Sequence, residues 1–464
     1  MDTTIRAQEA IPARIDRLPV SRELWRIMLL AGVAWLVESY DVGVIGSVLP
    51  SLVKEFHLGA ISLGLLAIAS TLGIVIAVIP AGWVADTIGR KKMLVIGTAW
   101  YAVFSLLCGF APTPTVLVLL RFVSGFGMGA IFPIPYAMAA ELTPRHFRGA
   151  MTAVLDSFLS VGYFLAPLLA FALLPRLSLD FGWRTLFYIG AFPLVFVPVL
   201  LRWMPESPRW LEVTGHPREA NAIVSRLEHD IERRTGEQLP PPHIEAARET
   251  GNLQAGAGVH ARQKGRYRQL FHRPFLKRTV MMWMAFSCIL FIFYAVQTYT
   301  PTVLIQKGYG TATAFLLTTI IVIASIPGKY AAGFAVERFG RKATLFWFTG
   351  AAAIAAVLFG LSSSPMLSLS CGILLAFFGV GVDPIIKIYG AEQYPTGIRE
   401  TGIGLFEGVG RFFGGALAPY IMAFILTSGS VPVSYIFVAL VALVGIGAVA
   451  VLGTETKGQS IDHV

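Results

Sequence analysis

Charge is what this sequence has least of. Only 14% of its 464 residues are Asp, Glu, Lys or Arg, 55% are hydrophobic, and the mean hydropathy is +0.68. Soluble domains carry roughly a quarter charged residues, so a soluble enzyme is excluded. Cysteine is scarce as well. Cys108, Cys288 and Cys371 fall inside apolar runs without pairing or metal spacing, and read as small core hydrophobes. The histidines show no zinc spacing, and neither a Gly-rich phosphate loop nor a nucleophile elbow occurs. No enzymatic activity, metal or cofactor is therefore expected. The first 22 residues are polar, with Arg6, Arg14 and Arg17, and hold no short apolar core before a cleavage site. We expect no signal peptide, the first long helix serving as the membrane signal.

What is present is apolar sequence in runs long enough for a bilayer, about 20 helical residues spanning ~30 Å. Twelve such segments occur, near 25–49, 61–85, 93–111, 115–140, 149–174, 183–204, 278–304, 311–336, 343–362, 366–391, 400–427 and 431–453. Their length and Gly/Pro content argue against a β-barrel, which needs short alternating strands. The expectation is an all-α membrane protein with twelve transmembrane helices. The polar stretch 205–276 divides it into six-helix halves at 25–204 and 277–453, flanked by tails at 1–24 and 454–464. Within that stretch an amphipathic helix is expected near 216–234, followed by a linker after Pro240-Pro241-Pro242.

The net charge of +10 does not point to nucleic acid, because of where it lies. Arg90, Lys91, Lys92, Arg145, Arg148, Arg338, Arg341, Lys342 and Arg399 all fall in turns on one side. The opposite turns hold little beyond Lys54, Arg176 and Lys307. This asymmetry places the basic side, both termini and the central loop in the cytoplasm of a multi-pass protein, and brings anionic lipid headgroups to the basic turns.

The two halves repeat each other. Gly82-x-x-x-Asp86-x-x-Gly89-Arg90-Lys91 recurs as Gly333-x-x-x-Glu337-x-x-Gly340-Arg341-Lys342. At the same offset Glu141-x-x-Pro144-x-x-x-Arg148 recurs as Glu392-x-x-Pro395-x-x-x-Arg399. Pro205-Glu206-Ser207 after the sixth segment is echoed by Thr454-Glu455-Thr456 after the twelfth. A duplicated membrane half with matching charged turns is the mark of a two-lobed transporter with a central site.

These turns, with Pro205-Glu206-Ser207-Pro208-Arg209-Trp210-Leu211, resemble the major facilitator superfamily, in its sugar-porter-related branch. The resemblance covers essentially the whole chain and implies two pseudo-symmetric six-helix lobes. It also implies a cytoplasmic gate of Gly82, Asp86, Arg90, Glu141, Arg148, Glu337, Arg341, Glu392 and Arg399, whose charges latch the lobes and release as the protein opens inward. Sugar porters carry glutamines in the fifth and seventh helices. Here Asp156 and Tyr163, and Cys288 and Ile289, stand at those places, so a hexose is not expected. Asp41-Val42-Gly43, Arg121-Phe122-Val123, Tyr294, Glu392-Gln393-Tyr394-Pro395-Thr396, Thr401-Gly402 and Gly410-Arg411 are similar to bacterial nicotinate permeases and aromatic-acid:proton symporters. That likeness implies proton-driven uptake of a small flat carboxylate into a bacterial cell, by a monomer in the inner membrane. The chain departs from the pattern at Glu38, Asp383 and Lys387, where Asp, an aromatic and Tyr are expected.

A charge at bilayer depth costs at least ~2.5–3.5 kcal/mol, so each such residue needs a partner or a role. Glu38 and Asp41 are three apart on one helix, and Asp41 and Arg121 lie at matching depths, ~12 and ~9 Å from the outer surface. Asp41, paired with Arg121, is the expected proton carrier, with Glu38 beside it; a permanent structural ion pair is the alternative reading. Asp383 with Lys387, and Glu407 with Arg411, are acid-then-base pairs at i,i+4, able either to neutralise themselves or to bind a substrate carboxylate. Trp35, Tyr294, Gln297, Tyr299 and Asp156 complete the expected substrate surface, suited to a planar ring with polar edges. Kinks are expected at Pro133 and Pro135, Pro327-Gly328 and Pro384. A proton-coupled importer of an organic acid leads; a sugar or polyol porter, an exporter of amphipathic cations, and a transport-dead sensor are the alternatives.

Overall fold

The computed structural model describes residues 11–144, 148–241, 269–273, 275–394 and 398–456. Among these every regular element is helical. Twelve helices are long and apolar enough to cross a membrane: Arg22–Phe56, Ala60–Val78, Arg90–Cys108, Pro114–Ala139, Val154–Arg176, Leu179–Trp203, Phe275–Gln306, Thr311–Phe339, Arg341–Leu361, Pro365–Glu392, Gly402–Ser428 and Val431–Leu452, numbered here as spans one to twelve. The first runs beyond the boundary expected at 49. Pro50 removes only one hydrogen bond near the end, and the helix closes at His57 in the left-handed conformation (φ 51°).

Proline sets the breaks. A proline cannot donate to the carbonyl four residues earlier, so that carbonyl is freed. In the fourth span the helix stops at Ile131 and restarts at Ile134, four residues before Pro135. In the eighth it stops at Ile323, four before Pro327. The tenth widens into a π-helical turn, Ala376–Val380, ending four before Pro384. A second wide turn, Arg411–Leu417, interrupts the eleventh span and ends two residues before Pro419, and it was not expected.

Packing makes the repeat three-dimensional. The first span packs on the fifth, the second on the fourth, and the third on the fourth and sixth. Their counterparts pair the same way: seventh on eleventh, eighth on tenth, and ninth on tenth and twelfth. These are the two six-helix lobes. The second and fourth spans cross at Gly73 and Gly125, where a side chain on either would collide with the other's backbone. The lobes meet through the pairs one–seven, two–eleven and five–eight. On the side away from the 204–274 interruption, a side chain at Gly46 would strike the Gln297 and Thr298 carbonyls, so the first and seventh spans touch backbone to backbone there.

On the loop side a small satellite forms. The helices Ile11–Asp16, Pro208–Val213 and Pro217–Thr235 bury Ile11, Ile15, Leu211, Ala220 and Val224 together. Arg14 donates to Glu228 Oε1 at 3.0 Å and to Asn221 Oδ1 at 2.6 Å, and Arg17 reaches Glu228 at 2.5 Å. Burial pushes the Glu228 carboxyl up, but the hydrogen bonds and charges of Arg14 and Arg17 outweigh it and hold its pKa below the usual glutamate value. The linker expected after Pro240-Pro241-Pro242 lies almost wholly outside the described residues.

Candidate functional site

Inside the first lobe Asp41 and Arg121 form a fully buried pair. Arg121 Nη1 is 2.5 Å from Asp41 Oδ2, with neither side chain exposed. Arg121 Nη2 also donates to the Asp41 carbonyl at 3.1 Å and to Ser70 Oγ at 3.0 Å. Ser105 donates to the other carboxylate oxygen at 2.5 Å, and the Phe187 ring lies under the guanidinium. Five helices thus converge on this ion pair. Tyr40, next along the helix, points to the sixth span and gives its hydroxyl hydrogen to the Leu186 carbonyl.

Glu38 lies one turn away on the same helix. It is buried, its Oε2 makes no hydrogen bond among the described residues, and its charge is felt by Arg411 of the other lobe. Arg411 opens the wide turn of the eleventh span. Its guanidinium carbon stands 3.8 Å from the centre of the Phe132 ring, which belongs to the fourth span. Its expected partner Glu407 is 3.8 Å away, beyond hydrogen-bond length, and Arg411 Nε has no partner among the described residues. Lys387, in contrast, is satisfied on its own helix by Asp383 at 2.8 Å, while Asp383 Oδ1 is left over. The two i,i+4 pairs therefore differ: one closes on itself and the other stays open.

An aromatic path joins these groups. Trp35 packs on Phe132 with centroids 5.7 Å apart and meets Tyr136 edge-on at 4.4 Å; its Nε1 makes no hydrogen bond among the described residues. Tyr136 is 3.4 Å from Asp156, and Asp156 pairs at 2.6 Å with Lys329 of the eighth span. Tyr163 meets Phe293 edge-on across the lobes, and Tyr294 and Thr71 of the second span both lie against Gly415. Trp35, Glu38, Asp383 and Arg411 thus each carry a buried polar atom with no hydrogen bond among the described residues, where the lobes face each other. Such atoms are costly unless something else occupies the space beside them.

Not every expected residue joins this surface. Tyr299 is fully buried within the second lobe, donating to the Pro419 carbonyl at 2.6 Å. Gln297 is buried on the seventh span where it meets the first. Lys329 and Tyr136 join this surface without having been expected there. Lys329 was visible in the sequence as a lysine inside an apolar run, but its facing needs the break at Ala324.

At the loop ends the repeat becomes two matching caps. Gly89 and Gly340 have φ of 107° and 92°, open only to glycine, and a side chain at either would meet a carboxylate. That carboxylate is Glu206 in one lobe, accepting from the Lys91 N–H at 3.0 Å, and Glu455 in the other, accepting from the Arg341 and Lys342 N–H groups at 2.9 and 3.0 Å. Each caps the start of a helix, where the dipole favours negative charge. Ser207 donates to Glu141, and Thr456 to Glu392 at 2.5 Å. Arg90 bridges Asp86 at 2.5 Å and Glu141 at 3.7 Å, and Arg341 grips Glu392 with two of its nitrogens, Nε and Nη2. Among the described residues, the charges expected to form a gate pair within their own lobes. Glu337 interacts electrostatically with Arg341. The Arg148 and Arg399 side chains and the surroundings of Gly82 lie outside the described residues.

The profile of the family described as Sugar (and other) transporter matches residues 27–464. The chain is 31% identical to the niacin transporter NiaP of Acinetobacter baylyi, over 97% of this chain and 99% of that one. It is 27% identical to the 4-hydroxybenzoate transporter PcaK of the same organism, over 86% and 84%. Among solved structures, the inward-open xylose transporter XylE from E. coli aligns with a TM-score of 0.76 at 19% identity, over 94% and 98% of the two chains. At that identity the likeness speaks for the fold alone.

Proposed function

The chain belongs to the Sugar (and other) transporter family, within the major facilitator superfamily, and on that premise we propose that it imports a small aromatic carboxylate of the nicotinate type by proton symport. It is a multi-pass membrane transporter of small molecules and not an enzyme. The observation that carries the substrate class is Arg411, a buried guanidinium laid on an aromatic ring of the opposite lobe, with a nitrogen that has no partner among the described residues. A guanidinium binds a carboxylate bidentately, and Phe132, Trp35 and Tyr136 offer faces and edges for a flat ring. The relatives named for niacin and 4-hydroxybenzoate support the same class. Proton coupling is assigned to Asp41 with Arg121, Glu38 lying one turn away on the substrate side. Protonating Asp41 removes the charge that holds Arg121, and that change of partner favours a different packing of the first and fourth spans.

The loop side is assigned to the cytoplasm of a bacterial inner-membrane protein, with both termini on that side and the protein acting as a monomer. In this reading the far side is closed where Gly46 meets the seventh span, and the capped loop ends form the cytoplasmic gate. Calorimetry of purified protein with nicotinate, benzoate and xylose tests the substrate class: saturable binding of the acids and none of the sugar is expected. Binding of xylose alone would replace the carboxylate reading with the sugar-porter one. A cysteine placed at Ser178, and not one at Ser225, should react with an impermeant reagent outside the cell.

A further inference from the structure

Among the described residues the charges at the loop ends pair inside each lobe, whereas a buried ion pair crosses between lobes. Lys329 Nζ, on the eighth span, donates to Asp156 Oδ2 at 2.6 Å and to Ser160 Oγ at 2.8 Å, both on the fifth span. Each member of the ion pair is only 10% exposed. Among the described residues Lys329 has no hydrogen-bond partner in its own lobe. Alternating access by rocking of the lobes moves the fifth span against the eighth, so Lys329 loses both partners together. A buried ammonium stripped of its anion is strongly disfavoured unless another anion replaces it. The neighbouring cation cannot release one, because Lys387 is held by Asp383 and also attracts Asp156.

We propose that Lys329 is a second carboxylate-binding group of the transport site and that Asp156 is the protein's own occupant of it, displaced by the substrate carboxylate as the lobes move. The exchange keeps one carboxylate on the lysine throughout, so the lobes can part without a bare charge in the membrane. Ser160 then serves as a relay that steadies the ammonium while the anions change places. This inference rests on the carboxylate reading of the substrate.

Its signature is opposite effects from the two halves of one ion pair. In calorimetric titration with nicotinate, Asp156→Asn removes the internal competitor and should tighten binding about tenfold, whereas Lys329→Gln should weaken it by about as much. Weakening by both substitutions, or no change from either, would make the pair a structural bridge and overturn the proposal. A second arm needs no ligand. In spin-labelled protein without substrate, the distance between the loop ends of the fifth and eighth spans should widen in Asp156→Asn and in Lys329→Gln. It should return in the exchanged pair Asp156→Lys with Lys329→Asp, and an unchanged distance in both single variants would equally overturn the proposal. Should the wild type bind no nicotinate, the carboxylate reading fails while this second arm still decides whether the pair ties the lobes.

Discussion

At the level of single residues, each charge buried at membrane depth needs a partner or a role: Lys387 is closed on Asp383, whereas Arg411 stands open beside Phe132. Asp41 and Arg121 were matched from depth alone, because charges in a membrane must be paired and helical rise converts position into depth. What depth could not give was the partners: Asp41 is held by Arg121 and Ser105, while Glu38, three residues earlier, keeps an oxygen without a hydrogen bond among the described residues. Tyr299 was lost from the site for the same reason, since its neighbour Pro419 belongs to a distant part of the sequence. Arg411 is the sharpest residue-level test. Arg411→Ala should abolish saturable nicotinate binding with little loss of thermal stability, because Arg411 already lacks a hydrogen-bonded carboxylate. Lys387→Ala should instead destabilise the protein, as it leaves Asp383 alone; breaking a buried pair costs about 3–5 kcal/mol. Equal behaviour of the two in binding and melting would contradict the distinction between an open and a closed pair.

At the level of elements, the twelve helices and most of their kinks were legible because apolar run length and proline are local signals. The wide turn at Arg411–Leu417 was not, since nothing in Gly410-Arg411-Phe412-Phe413-Gly414-Gly415 specifies an extra residue per turn without its packing partner. The echo of Glu206 and Glu455 was visible, but not its meaning as a pair of helix caps. Glu206→Gln and Glu455→Gln should each cost about 0.5–2 kcal/mol, read as a lower melting temperature, by weakening charge at a helix start. No shift in either would remove the caps from the account. The satellite helices supply a pH test. The Glu228 pKa lies below its unfolded value, so its contribution is complete above about pH 4.3 and lost as pH falls through the folded value. Protease cleavage near residues 11–20 should therefore stay slow at pH 5–7 and quicken below pH 4, and Glu228→Gln should make it fast at neutral pH.

At the level of the whole molecule, the duplication in the sequence foretold the two lobes, since each motif recurs at one offset and each helix pair has its counterpart. How the lobes meet was hidden, because the crossings one–seven, two–eleven and five–eight join residues with no shared local pattern. The central claim is that this molecule converts a proton gradient into uptake of an aromatic carboxylate through Asp41. The direct measurement is nicotinate accumulation in proteoliposomes holding wild type or Asp41→Asn, with an imposed gradient acidic outside. Wild type should concentrate nicotinate above its external level and stop when the gradient is collapsed. Asp41→Asn should bind and exchange nicotinate across the membrane without accumulating it. Gradient-driven accumulation by Asp41→Asn equal to wild type would contradict the account.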